Sequence, residues 1–200
     1  MIALEIEQRS EEWNKARLGI PTASSFDKII TPQGKPSKQA MKYLYTLACE
    51  RVTGVKEEGF KSSAMDRGTA MEEEARQFYE MLRDCEVKTV GFCYKDERKL
   101  FGSSPDGLVG EDGILEIKCP IASTHVAYLI GENSPEEYYP QAQGNLYITG
   151  RKWADILIYY PGVKPLIIRW ERDEPFIKEL ETGLESFSKN LEEMVKRIAV

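Results

Sequence analysis

Asp106, Glu116 and Lys118 lie within the stretch GSSPDGLVGEDGILEIKCP, residues 102–120. Asp106 stands in an SPDG turn between two strand-like runs, and LEIKCP follows ten residues later. Side chains alternate along a strand, so Glu116 and Lys118 face one way, roughly 6.6 Å apart, while Leu115 and Ile117 face apolar packing. The turn can fold Asp106 back over Glu116. Two converging carboxylates make an oxygen-rich site suited to Mg²⁺ or Mn²⁺. Such a cation polarises a phosphoryl oxygen and lowers the pKa of a bound water. A neighbouring ammonium orients the nucleophile or stabilises charge on phosphate. The chemistry implied is metal-assisted phosphodiester hydrolysis, which needs no histidine. Taken singly, PDG is a common turn and alternating Glu and Lys is a solvated strand face. The combination inside an apolar strand favours the chemical reading. Glu111 and Asp112 belong to the intervening hairpin turn and are expected to be solvated.

Composition weighs against other chemistries. With one histidine, His125, a Ser-His or Cys-His nucleophile has no support. The four cysteines form no CxxC pair, so reduced thiols are expected rather than a zinc site. Cys119 reads as a small residue ending a strand before Pro120, and His125 as a surface or helix-start residue. The formal net charge of −6 argues against a simple nucleic-acid-coating protein. It does not exclude DNA, because metal-holding carboxylates count as negative and basic residues can cluster. No apolar run approaches the ~20 residues of a membrane span. MIALEIEQRSEEW is acidic and lacks a signal-peptide core. A cytoplasmic protein with one globular domain, 1–200, is expected.

The elements that must position the site follow from periodicity and caps. SEEWNKARLG predicts a short helix with Ser10 as N-cap and Gly19 as its stop. TASSFDKII predicts another. SKQAMKYLYTLACERVTG predicts a helix from Ser37 to Gly54, with Met41, Leu44, Leu47, Ala48 and Val52 on one stripe. AMDRGTAMEEEARQFYEML predicts a long helix. VKTVGFCYK, KLFGSSPDGLVG and GILEIKCP predict a strand meander. SPEEYYPQAQGNLYITG predicts a helix opened by a Ser134–Glu137 capping box with Pro135 at N1, and kinked or restarted at Pro140. WADILIYYPG and PLIIRWER predict two strands, and an amphipathic helix runs from Asp173 to the end. The fold class is α/β (α+β), with a central mixed sheet flanked by helices.

Asp106…Glu116-Ile117-Lys118 resembles the PD-(D/E)xK nuclease signature. Five stretches in order, WNKARLGIPTASSF, RGTAMEEEAR, SSPDGL, LEIKCP and YYPQAQGNLYITG, are similar to the phage lambda exonuclease and YqaJ-type viral recombinase family. The resemblance covers most of the chain and implies a restriction-endonuclease-like core. It implies that Glu72, otherwise a solvated helix residue beside Glu73 and Glu74, is a third metal-facing carboxylate. The Ile117 carbonyl is implied as an extra metal ligand. Arg17, Ser24 and Ser104 match positions that bind a terminal 5′-phosphate. Arg offers a two-pronged fork to phosphate, and Ser24 lies near a helix start that favours anions. Gln141 matches the family's active-site glutamine. Gln143 with Tyr147 fits the QxxxY pattern of related nucleases; the two glutamines cannot both face the metal well, so Gln141 is favoured and Gln143 kept in reserve. TPQGKPSK corresponds to a region where the family inserts a basic residue into the duplex, and Lys35 and Lys38 are candidates there.

The resemblance further implies a 5′-to-3′ exonuclease on double-stranded DNA ends, with two Mg²⁺ ions for which Mn²⁺ may substitute. The products would be mononucleotides and 3′ overhangs for phage recombination. A homotrimer ring, a single-strand annealing partner and a phage or prophage gene in a bacterial host are implied too. Two alternatives keep the core: an endonuclease or single-strand nuclease, and a non-catalytic DNA-end-binding scaffold.

Overall fold

The computed structural model describes residues 1–56 and 63–200, with backbone alone at 63–66 and 69. Its strands are β1 (Ile2–Leu4), β2 (Val87–Lys88), β3 (Phe92–Tyr94), β4 (Gly102–Ser103), β5 (Gly107–Val109), β6 (Gly113–Lys118), β7 (Trp153–Ile158) and β8 (Leu166–Glu171). Its helices are α1 (Glu11–Arg17), α2 (Ala40–Thr53), α3 (Ser63–Arg83), α4 (Ala122–Leu129), α5 (Tyr139–Thr149) and α6 (Glu174–Ile198). Two 3₁₀ helices, Ala23–Lys28 and Pro135–Tyr138, precede α2 and α5.

The strands form two sheets rather than one. A mixed five-stranded sheet runs β2-β5-β6-β7-β8, and β1-β3-β4 form a small antiparallel one. Among the named strands of the described residues only β6 and β7 pair in parallel, with Glu116 opposite Ile156 and Lys118 opposite Ile158. A parallel pair needs a long crossover, which α4 and α5 supply. The expected meander is therefore split, its Phe92–Tyr94 and Gly102–Ser103 segments turning away to meet β1.

One face of β6 and β7 packs Ile114, Ile156 and Ile158 against Ala142 and Leu146 of α5. The other packs Leu115, Ile117 and Leu157 against Ala75 and Tyr79 of α3. A larger cluster joins α2 and α6 to the first 3₁₀ helix through Leu44, Leu47, Leu180, Leu184 and Phe26. Burying each such side chain contributes about 1.5–3 kcal/mol.

Ser10 caps α1 by accepting from the Trp13 N–H, and Gly54 ends α2 in the left-handed conformation. The N-cap of α6 is Asp173, which accepts from the Phe176 N–H. Four local expectations are corrected. The TASSFDKII helix is 3₁₀ rather than α. Helix α2 starts at Ala40, because Ser37 instead organises the preceding turn by accepting from the Gln39 and Ala40 N–H groups. Met41 and Val52 are exposed, and Tyr43 joins Leu44, Leu47 and Ala48 on the buried stripe. The Ser134–Glu137 capping box does not form, since Ser134 makes no side-chain cap and Glu137 instead accepts from the Tyr128 hydroxyl. The chain does restart at Pro140, in the first turn of α5.

Candidate active site

Glu116 lies near the C-terminal end of β6, only 3% exposed. A buried carboxylate costs several kcal/mol unless its oxygens are matched. Three donors match it. Lys118 Nζ donates to Oε1 at 2.9 Å, Gln141 Nε2 donates to the same oxygen, and Asn145 Nδ2 donates to Oε2 at 3.0 Å. Gln141 closes the triangle by accepting from Lys118 Nζ at 2.9 Å. Gln141 and Asn145 are i,i+4 on α5, one helix face laid over the Glu116–Lys118 face of β6. Burial by itself would lower the Lys118 pKa, but the charges of Glu116 and Asp106 outweigh it and hold the ammonium above the ordinary lysine value. The Tyr138 ring lies 5.0 Å from that ammonium.

Asp106 meets β6 at its edge. Strand β5 begins at Gly107, whose partner is Leu115, so the ladder ends before Ile117. Asp106 Oδ2 takes the next rung, accepting from the Ile117 N–H at 2.6 Å. The N–H and C=O of one strand residue point to the same side, and the Lys118 carbonyl faces β7, where it accepts from the Tyr159 N–H. The Ile117 carbonyl therefore points to the Asp106 edge. Burial, and then the Glu116 charge, raise the Asp106 pKa well above 3.8. Crowded carboxylates beside an outward carbonyl are a hard-oxygen donor set that fits a divalent cation.

Glu72 of α3 lines the same open cleft as Asp106 and Ile117, about 690 Å³ in volume. Its two oxygens are held by Arg9 Nη2 at 2.7 and 2.6 Å. Among the described residues no three His, Cys, Asp or Glu side chains already surround one point. Arg9 holds Glu72, and Lys118 with two amides holds Glu116.

The three residues matched to phosphate binding converge from separate stretches. Arg17 Nη1 donates to Ser104 Oγ at 3.1 Å, and its Nη2 to Ser24 Oγ at 3.3 Å. The guanidinium stacks 4.0 Å over the Trp13 ring, and Trp13 Nε1 also donates to Ser104 Oγ at 2.8 Å. Thr22 Oγ1 lies 3.3 Å from Ser24 Oγ. Burial lowers the Arg17 pKa to about 10, which leaves the guanidinium charged at neutral pH. Cationic nitrogens among hydroxyl groups suit a phosphate. Behind this cradle, Gly19 (φ +66°) is clamped by α2: Glu50 accepts from its N–H at 3.0 Å, and Arg51 Nε donates to its carbonyl at 2.6 Å.

The structure separates the two glutamines. Gln143 points away, donating to the Glu171 carbonyl at 2.9 Å and accepting from the Asp173 N–H at 3.0 Å. The Tyr147 hydroxyl donates to Glu181 at 3.0 Å inside the α2–α6 cluster, so the QxxxY pair lies outside the carboxylate cluster. Lys35 and Lys38 are exposed on the turn before α2 and do not line the cleft. The Cys119 thiol is pushed up to about 11, by burial first and then by Glu72 and Asp106, so it is no ready nucleophile. His125 is fully buried in the first turn of α4 rather than at the surface, its Nε2 facing the Lys164 carbonyl at 2.9 Å.

Four site residues lie outside the sequence reading. Asn145 and Trp13 carry a usable signal, four residues from Gln141 and Arg17 on the same helices, and Thr22 stands two before Ser24. Arg9 carries none, because its partner is 63 residues away.

Residues 12–152 match the family model of the YqaJ-like viral recombinase domain. The structure is similar to an alkaline exonuclease (LHK-Exo) from Laribacter hongkongensis, with a TM-score of 0.86 and 35% identity over 94% of this chain and 96% of that one. The same enzyme in complex with dAMP gives 0.85 and 36% over the same shares. A phage-related exonuclease from Haemophilus somnus 129PT shares the fold, with a TM-score of 0.68 and 14% identity over 99% of this chain and 98% of that one. A search of curated proteins found no match. The family model spans most of the chain and contains the cradle, Glu72, Asp106, the β6 strand and α5: the chain belongs to the YqaJ-like viral recombinase family.

Proposed function

We propose that the protein is a Mg²⁺-dependent deoxyribonuclease. It degrades one strand of double-stranded DNA from its 5′ end, releases mononucleotides and leaves 3′ overhangs for recombination by single-strand annealing. The observation that carries this reading is the pairing of two devices. A lysine–carboxylate–amide network closes the end of β6, and Ser104 of the arginine–hydroxyl cradle stands two residues from Asp106.

Divalent cations held by Asp106, Glu116, Glu72 and the Ile117 carbonyl would polarise a phosphoryl oxygen and acidify a water. Mn²⁺ would substitute for Mg²⁺ in this oxygen set. Lys118 serves as a hydrogen-bond donor. Two of its protons go to Glu116 and Gln141, and the third is available to an attacking water or a phosphate oxygen. Gln141 fixes that ammonium, while Asn145 fixes the second oxygen of Glu116. Arg17, Ser24 and Ser104 receive the terminal 5′-phosphate, which sets polarity by seating the end before the first cleavable bond. Lys35 and Lys38 remain candidates for a duplex contact outside the cleft. The protein acts in the cytoplasm of a bacterial host, with a single-strand annealing protein as its partner.

The test compares linear duplexes carrying 5′-phosphate or 5′-hydroxyl ends, together with covalently closed circles. Phosphorylated ends should be degraded faster, circles should stay intact, and Arg17→Ala should abolish the end preference. Cleavage of closed circles, or an Arg17→Ala enzyme with an unchanged preference, would contradict the proposal.

A further inference from the structure

We propose that Arg9 is a further residue of the metal site, a built-in counter-cation that a divalent metal must displace before Glu72 can serve as a ligand. This rests on the metal reading above. The guanidinium holds both oxygens of Glu72, at 2.6 and 2.7 Å. Such a clamp faces the lone pairs that a chelated metal would use. A guanidinium left there would also repel a doubly charged ion, so the two cations compete.

The backbone places Arg9 for this purpose. Its φ of +70° is a left-handed conformation that is unfavourable for a residue with a Cβ. The conformation is secured from α1, where Asn14 Nδ2 donates to the carbonyls of Arg9 and Ser10 at 3.4 and 2.9 Å. Backbone strain held in this way gathers at functional sites. Arg9 and Glu72 both line the cleft of Asp106 and Ile117, and with side chains 50% and 30% exposed the pair can open without unfolding. Ion pairs this open to solvent are weak, so a divalent cation can compete with this one.

Titration calorimetry with Mn²⁺ on the full chain, without DNA, tests the idea. Arg9→Ala should bind Mn²⁺ about fivefold more tightly than wild type, with Arg9→Lys between them, because it keeps the charge on a more flexible and more strongly hydrated group. Arg76 supplies the control: it lines the same cleft but pairs with Glu73. Arg76→Ala should change affinity less than about twofold. Arg9→Ala binding that is unchanged or weaker would overturn the role of Arg9, as would equal tightening by Arg76→Ala. A wild type that binds no Mn²⁺ would overturn the metal reading as well.

Discussion

A carboxylate inside a protein is tolerated only when its oxygens are matched, and Glu116 shows what happens when one match is removed. Asn145 is the donor to Oε2. Asn145→Ala leaves that oxygen buried and unpaired, which should cost about 1–3 kcal/mol in denaturant unfolding. Asn145→Asp sets one carboxylate against another. It should be less stable than Asn145→Ala at neutral pH and recover as the solution is acidified; a pH-independent loss would contradict this pairing. The Asp106 carboxyl gives a second test. Its pKa is raised on folding, by burial and then by Glu116, so its contribution to stability is full below the ordinary value of 3.8 and is lost as pH climbs through the folded value. Above that window a divalent cation held as proposed would neutralise the crowded charge. The rise in Tm on adding Mg²⁺ should therefore be larger above that window than at the ordinary carboxylate value, and a rise that shrinks as pH climbs would contradict the assignment. At this scale the sequence displays the acids and the lysine, because their spacing is local. It leaves Gln141 and Gln143 undivided, because helix phase is fixed only when α5 meets β6 on one side and Glu171 on the other.

Helix α5 couples the two halves of the site. A Cβ at Gly144 would lie 2.4 Å from Phe26 Cδ2 and 3.3 Å from Ala23 Cβ. Phe26 is fully buried and cannot retreat. Gly144→Ala should therefore destabilise the protein by about 1–3 kcal/mol, despite alanine's better helix propensity. Because Ala23 and Phe26 belong to the 3₁₀ helix that carries Ser24, the variant should also lose preference for 5′-phosphate ends. Thermal unfolding and end-labelled digestion check the two effects separately. Strands β6, β7 and β8 are legible from their apolar runs, helices α1 and α6 from their caps, and α2 from its Leu44, Leu47 and Ala48 stripe and its Gly54 stop. Strand β1 is not, since three edge residues have no period to read. Helix α4 is hidden because its N-cap, Ile121, makes no side-chain cap. The split into two sheets depends on β1 returning from the other end of the pattern, which no local signal announces.

The whole molecule joins its distant ends: β1 pairs with β3, and α6 packs on α2. We propose that residues 1–200 form a single domain. A net charge of −6 on a protein proposed to act on DNA would suit the homotrimer ring that the resemblance implies, with its basic residues facing inward. Light scattering should return three copies of the 22.8 kDa chain, and a single-copy mass would remove the ring. The central claim is that the Asp106, Glu116 and Lys118 set performs metal-dependent strand hydrolysis. Digestion of end-labelled linear duplex with purified protein tests it most directly. Wild type should release mononucleotides with Mg²⁺ and none with chelator, and Lys118→Ala should be slower by about 100-fold or more. No release by wild type, or release by Lys118→Ala at the wild-type rate, would contradict it.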